Sequence, residues 1–460
     1  MTQIHLALTP RTARRPHGIS RRKLVAVSAA IGAMGVLSAC GAAQTGTGAS
    51  ESASAAKLKA GSTVVFWNDM GGQYPTLMER WRDQFATKTQ VKVEVTGGIA
   101  DYNNKLAAAF AGGTPPDVFR YLQENIPLPA AVERNLLLKL DQYVKRDKYD
   151  LADFRKDSIT LYQWKGNLLA LPRDYGLQLI YYNTELFQKA GLPSIPTDWN
   201  EKTWTFQKFL ETCQTLMRGT IQYALFVNRG ARPWGSWVYS NGGAVVRKNA
   251  DGLATEFALS EKPAVDALQF VQDLIYKHKV APEPAQEAGL GDLNSLMQNG
   301  KLAMRIGNPS DNNALRTSGI PYDVGVFPLG PTGTRRGIGG GGTGWAAAAT
   351  SKQPEEAWAL LQHIASRDAE LGEVEIGQTT PSRISVATGK EYLDPSKPPK
   401  GAKAFADGQE YVLRDPVHSK WPDAQRDVVN KVLNEQFWTG QLSAVQATKE
   451  IKDKGDSFFK

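Results

Sequence analysis

The stretch Gly166–Asn183 reads G-N-L-L-A-L-P-R-D-Y-G-L-Q-L-I-Y-Y-N and holds two apolar runs, Leu168–Leu171 and Leu177–Tyr182. Each has the length of a strand rather than a helix, and the second is rich in residues that suit a sheet. Between them Pro172 removes a ladder donor and Gly176 loosens the backbone, so the chain is expected to leave one sheet and enter another. The stretch then becomes a crossing between two lobes, with Arg173, Asp174 and Tyr175 displayed in the gap. An ordinary surface hairpin is the other reading that these residues alone allow.

Upstream of the crossing, Thr63–Trp67 and the alternating Val91–Val95 read as strands, with a helix between them carrying Leu77, Met78, Trp81 and Phe85 on one face. A helix over Tyr102–Phe110 stops at Gly112-Gly113, and a turn then feeds a third strand ending at Tyr121. Such alternation implies a parallel sheet covered by helices. Ligands of such sheets gather beyond the carboxyl ends of the strands. That places Trp67, Asn68 and Asp69 on one rim with Tyr121, Gln123 and Glu124.

Downstream, a helix over Trp204–Met217 is expected to be capped by Thr203, and Ala224–Val227 reads as a strand. Trp234 and Trp237, followed by Asn241-Gly242-Gly243, form the densest aromatic and polar cluster in the chain. On a helix both indoles share a face, which serves either a binding loop or the core. Lys301–Ile306 is a strand turning at Gly307-Asn308-Pro309-Ser310, and a second crossing is expected near Pro328–Thr334. Gly337–Gly342 fits the spacing G-x-G-x-x-G but leads into strand-like Trp345–Thr350, not a helix. It reads instead as backbone that admits a ligand closely. Thr379–Arg383 is a further loop, and Ser443 and Gln446 stand at capping-box spacing before the last helix.

The chain has 460 residues, room for two substantial cores. Its formal charge of +8 shrinks once a leader is considered. Residues 1–39 hold six Lys/Arg and no acid, leaving 48 basic against 46 acidic residues in the remainder. That near-balance gives no reason to invoke nucleic acid. Arg21-Arg22 precede the uncharged run Leu24–Leu37, which ends at Leu37-Ser38-Ala39-Cys40-Gly41. The features predict a twin-arginine-like lipoprotein signal over 1–39, with lipid attached to Cys40. The Gly/Ala/Ser/Thr-rich segment 40–60 is then a flexible tether. Cys213, among Phe209, Leu210 and Leu216, reads as a buried small hydrophobe.

The chemistry expected of an enzyme is sparse. His278, His363 and His418 lack partners at metal-ligand spacing, and no G-x-S-x-G or H-E-x-x-H occurs. No metal or cofactor is expected. Carboxylates are plentiful, so a glycoside hydrolase or lyase stays open beside a binder. All eleven tryptophans follow the leader, several beside Gly-, Asn- and Asp-rich loops, and that combination suits a sugar.

Nearly all of residues 61–460 resembles an extracellular solute-binding protein of the family that serves sugar-importing ABC transporters. The resemblance rests on A-G-G-T-P-P-D-V (111–118), L-P-R-D-Y-G through Leu192, W-T-F-Q-K-F-L (204–210) and Asn241-Gly-Gly. G-K-L-A-M-R-I-G (300–307) and G-W-A-A-A-A-T-S-K-Q-P-E-E-A-W (344–358) complete it. It implies an α/β, two-lobed periplasmic-binding-protein-like fold with hinge strands, the lobes being 61–173 with 330–375 and 174–329 with 376–460. It implies ligand contacts at Trp67–Asp69, Tyr121–Glu124, Asp174, Tyr175, Trp234, Trp237, Asn241, Gly242, Asn308, Ser310, Gly341, Gly342 and Arg383. Some relatives carry tryptophan in the loop after residue 307, where this chain has Pro309-Ser310-Asp311. The function implied is capture of a sugar or oligosaccharide and delivery to a transporter permease, without turnover. The protein would be a monomer anchored to the outer face of a bacterial membrane. Arg120, Arg173, Arg305 and Arg383 fall at or beside the rim loops and leave an acidic sugar open. A non-sugar solute-binding lipoprotein is the remaining alternative.

Overall fold

A computed structural model describes residues 58–460 apart from 124, 125, 378 and 395. The signal, Cys40 and most of the tether lie outside the described residues, as does Glu124.

The protein is a two-lobed α/β fold with two separate apolar cores. The first is built from Val64 to Tyr175 and from Trp345 to Ala369. Its sheet runs Lys92–Thr96, Thr63–Trp67, Val118–Tyr121, Gly344–Ala347, Leu171–Pro172. The first three strands are parallel, as strand–helix–strand alternation requires, Gly344–Ala347 runs antiparallel to them, and Leu171–Pro172, antiparallel to it, returns to their direction. Helix Tyr74–Thr89 covers this sheet with Tyr74, Leu77, Met78, Trp81 and Phe85, and stops at left-handed Gln90 (φ 59°).

The second core runs from Leu177 to Ile338 and from Ala404 to Ile451. Its four-stranded sheet has the order Tyr322–Gly325, Leu179–Asn183, Leu302–Gly307, Tyr223–Phe226. Leu179–Asn183 is buried on both faces, which is why its sequence is a continuous apolar run. Helix Phe206–Met217 is capped by Thr205, whose hydroxyl accepts from the Lys208 amide at 3.2 Å, and not by Thr203. The start is delayed because Trp204 Nε1 donates to the Val326 carbonyl and Thr205 bridges Leu329, holding that backbone extended. Cys213 is fully buried in this core, and burial pushes its thiol pKa well up. Ser443 and Gln446 form the expected capping box on helix Ala444–Gly455.

The crossing read from Gly166–Asn183 is present and has an extra step. Leu171–Pro172 belongs to the first sheet and Leu179–Asn183 to the second. Between them Gly176–Leu177 pairs with Ile338–Gly341, which also pairs with Val412–Arg414, forming a three-stranded hinge sheet. The segment before Gly344 therefore differs from the expected division: Ile338 packs in the second core, and the Gly339 amide donates to Ser236 Oγ at 2.9 Å.

Candidate functional site

The hinge strands floor a cavity of about 280 Å³ between the lobes. Met70, Gly71, Tyr74 and Arg120 line it from the first lobe, and Asn308, Pro309 and Ser310 from the second. Its floor carries Arg173, Asp174, Gly176, Gln178, Gly341 and Thr343, with Thr379 and Thr380 from the loop after helix Arg367–Glu375 and Arg232 beside them.

Of the residues expected here, Asp174, Asn308, Ser310 and Gly341 line the cavity. Asp174 is largely engaged by the protein: Oδ1 accepts from the Thr343 amide at 2.6 Å, and Oδ2 from Arg173 Nη1 at 2.5 Å. Asn308 Oδ1 accepts from the Ser310 amide at 3.0 Å and hydroxyl at 2.6 Å, fixing the turn. Gln123 and Gly342 line a smaller void of about 30 Å³ close by, shared with Arg232 and Gly341. Gln123 Nε2 donates to the Leu161 carbonyl.

The first rim loop is displaced from its expected position. Asn68 is fully buried, its amide set by Met78 Sδ and the Met70 amide. Asp69 accepts twice from Arg120 Nη1, at 2.6 and 2.8 Å. Trp67 is half-buried and packs against the first core. The lining begins only at Met70. Tyr121 and Tyr175 are core residues, and the Tyr121 hydroxyl donates to the Ile126 carbonyl at 2.6 Å.

The aromatic cluster is a correction. Residues Ala231–Ser240 form a helix, and both of its indoles face the second core. Trp237 is fully buried, with the rings of Phe206, Phe209 and Phe327 each 5.3 Å from it edge-to-face. Neither indole offers a sugar a face. Asn241, 1% exposed, donates to the Pro263 carbonyl and accepts from the Thr332 amide, while Gly242 takes φ +77° to end the helix. Arg383 also lies away from the cavity: it donates to Ala365, Asp153 and Tyr149 and stacks 4.1 Å over Phe154. Arg305 pairs with Asp311 instead of lining the site.

The glycine run admits protein backbone. A Cβ on Gly339 would stand 2.4 Å from the Arg232 carbonyl oxygen, and one on Gly342 would stand 2.2 Å from that of Asp174. Glycine is required there so that hinge strands and helix Ala231–Ser240 touch.

Gln178, which no motif of the sequence singles out, is the most telling group of the site. It is 7% exposed, lines the cavity, and its side-chain amide bonds to no described residue. Thr380, 1% exposed, lines the cavity beside it. A lone glutamine inside Leu177–Tyr182 was the available signal, since a polar side chain in a doubly buried strand needs a partner. Arg173 and Arg232 supply charge: Arg232 is paired with Asp415 at 2.8 Å, and Arg173 lies over the Tyr74 ring at 5.1 Å. Burial pushes the Tyr74 hydroxyl pKa well above its ordinary value, so it stays protonated. Among the described residues no cluster of His, Cys, Asp and Glu could hold a metal.

A two-lobed fold with hinge strands and a polar interlobe cavity defines a binding-protein class. The chain belongs to the bacterial extracellular solute-binding proteins, matching that family over residues 67–371. A binding protein of Brucella abortus (strain 2308) is 27% identical over 205 residues, 44% of this chain and 48% of its own length. The chain thus spans about half the length of that relative. The galactooligosaccharide-binding protein of Bacillus subtilis (strain 168) is 26% identical over 347 residues, 74% of this chain and 77% of its own. An ABC substrate-binding protein of Listeria monocytogenes, solved with cycloalternan, superposes with a TM-score of 0.74 at 21% identity. That superposition covers 86% of this chain and 98% of the other, and it carries the fold alone.

Proposed function

We infer that this chain captures a carbohydrate between its lobes and delivers it to the permease of an ABC importer, without chemical turnover. The observation that carries the reading is the Gln178 amide, held in the hinge with no partner among the described residues and open to the cavity. An amide offers a donor and an acceptor together, as a pair of sugar hydroxyls requires. Thr380 Oγ1 and the Arg232 guanidinium add polar contacts beside it. Hydrolysis by paired carboxylates is less well supported. Among the described residues Asp174 is the one carboxylate lining the cavity, and Arg173 and Thr343 occupy it. The family is extracellular, and the signal with Cys40 supports export and lipid anchoring at the outer face of the membrane.

Isothermal calorimetry of the mature protein against neutral and acidic oligosaccharides tests the reading. A saccharide should bind, and Gln178→Ala should weaken it by about 1–3 kcal/mol, the range for a buried group left unpaired. Product formation in proportion to protein, or heat with amino acids and peptides alone, would overturn it. Cys40→Ser should release the protein from membranes; full retention would refute the anchor.

A further inference from the structure

Beyond Thr379, which lines both spaces, the interlobe cleft adjoins a larger cavity of about 770 Å³. Its walls come from both lobes: helix Asp311–Thr317 continues directly from the Asn308–Ser310 turn, and helix Arg367–Glu375 faces it. Leu371, Val374 and Pro399 make the walls partly apolar.

The charges there are unequally satisfied. Glu375 is paired with Arg80 and Lys397 with Asp394. Arg316 donates through Nε to the Pro398 carbonyl at 2.6 Å and has no carboxylate partner among the described residues. Lys390 has no partner among them either, and Glu391 is the one acid of the lining left similarly unpaired. One turn before Arg316, Asn312 is 5% exposed; one end of its amide lies between the Tyr181 and Tyr322 hydroxyls and the other opens onto the cavity. The Tyr392 hydroxyl is buried in the same wall, beside the Thr380 side chain. A guanidinium held by the Pro398 carbonyl and the Tyr322 hydroxyl, both uncharged, an amide one turn away and an ammonium without a partner among the described residues form a donor set for an anionic oxygen group.

We propose that this cavity is a second subsite of the cleft that binds the carboxylate or phosphate of an acidic saccharide through Arg316 and Lys390. It rests on the carbohydrate reading of the cleft and narrows the ligand to a sugar chain bearing acid groups. The sugar rings lie along Gln178 and Thr379, and the acidic end reaches Arg316.

The test is calorimetry of the mature protein with three probes: trigalacturonate, a phosphorylated trisaccharide and a neutral trisaccharide. At least one acidic probe should bind more tightly than the neutral one, and the stronger of the two identifies carboxylate or phosphate as the group read. Arg316→Ala should cost that probe tenfold or more, and Lys390→Gln several-fold, while neutral binding stays within twofold. Because Arg316 also holds Pro398, the Lys390→Gln variant, at an exposed side chain without partners, guards against misfolding. Gln178→Ala should weaken all saccharides alike. Equal binding of neutral and acidic probes, or acidic binding indifferent to both cation variants, overturns the subsite and leaves the carbohydrate reading intact. If none of the broad saccharide panel binds, the carbohydrate reading itself fails and the subsite falls with it.

Discussion

Arg173 donates through Nε to Glu373 Oε1 at 2.8 Å, a bridge between side chains only 4% and 2% exposed. It ties the first crossing to helix Arg367–Glu375 across 200 residues of sequence. Arg173 also donates to Asp174, Thr343 and the Tyr74 hydroxyl, so one guanidinium gathers hinge and first lobe under the cleft. Glu373 Oε2 has no hydrogen-bond partner among the described residues.

Removing the acid from this pair leaves the buried guanidinium with Asp174 as its one carboxylate partner among the described residues. Glu373→Ala should lower stability by about 3–5 kcal/mol, the usual cost of breaking one side of a buried pair. Chemical denaturation measures it, and an unchanged midpoint would show that the bridge does not hold the hinge.

A second buried acid makes stability depend on pH. Glu370 Oε1 meets Ser382 Oγ, which also lies 3.2 Å from the Pro172 carbonyl. One hydroxyl proton cannot serve both, so protonated Glu370 donates to Ser382 and Ser382 donates to Pro172. Burial pushes Glu370 up to about 8 and Glu373 up to about 7. In the unfolded chain a glutamate titrates near about 4.3. Between these values the native state holds more protons, so this contribution is full below about pH 4 and is lost as pH rises. It levels off once pH exceeds the folded value of about 8. Gln at 370 copies the protonated carboxyl, with its NH2 toward Ser382 and its oxygen toward the Arg383 amide. Glu370→Gln should therefore flatten the decline between about pH 5 and 8 relative to wild type. Parallel pH profiles of the two proteins in urea titrations would refute the assignment.

Trp237 supports the second lobe and lies outside the cleft. Trp237→Ala should cost about 3–5 kcal/mol of stability by leaving a cavity among Phe206, Phe209 and Phe327. Ligand affinity of the folded fraction should stay within twofold. Calorimetry showing a large affinity loss with normal stability would return the indole to the binding site.

Gly339 couples the hinge to Arg232. A methyl there meets the Arg232 carbonyl at 2.4 Å, so Gly339→Ala should force the helix start or the strand to move. The expected cost is about 1–3 kcal/mol, typical of overpacking, with weaker ligand binding because Arg232 lines the cleft. Wild-type stability and affinity together would show that the contact relaxes freely.

Local order made the architecture legible from the chain. Period-two and period-3.6 patterns set the strands and helices of the first lobe, and Pro172 with Gly176 marked the passage between sheets. Those signals depend on the backbone and its nearest neighbours. The site was legible only as a set of loops: Asp174, Asn308, Ser310 and Gly341 reach the cavity, while Trp237, Asn241 and Arg383 are committed elsewhere. Whether an indole stacks on a sugar or fills a core depends on partners such as Phe327, ninety residues away, and no local pattern encodes that meeting. Gln178 shows the same division from the other side. The sequence places a polar residue in an apolar run, but only the folded hinge decided that no described residue would satisfy it and that it would face the cleft.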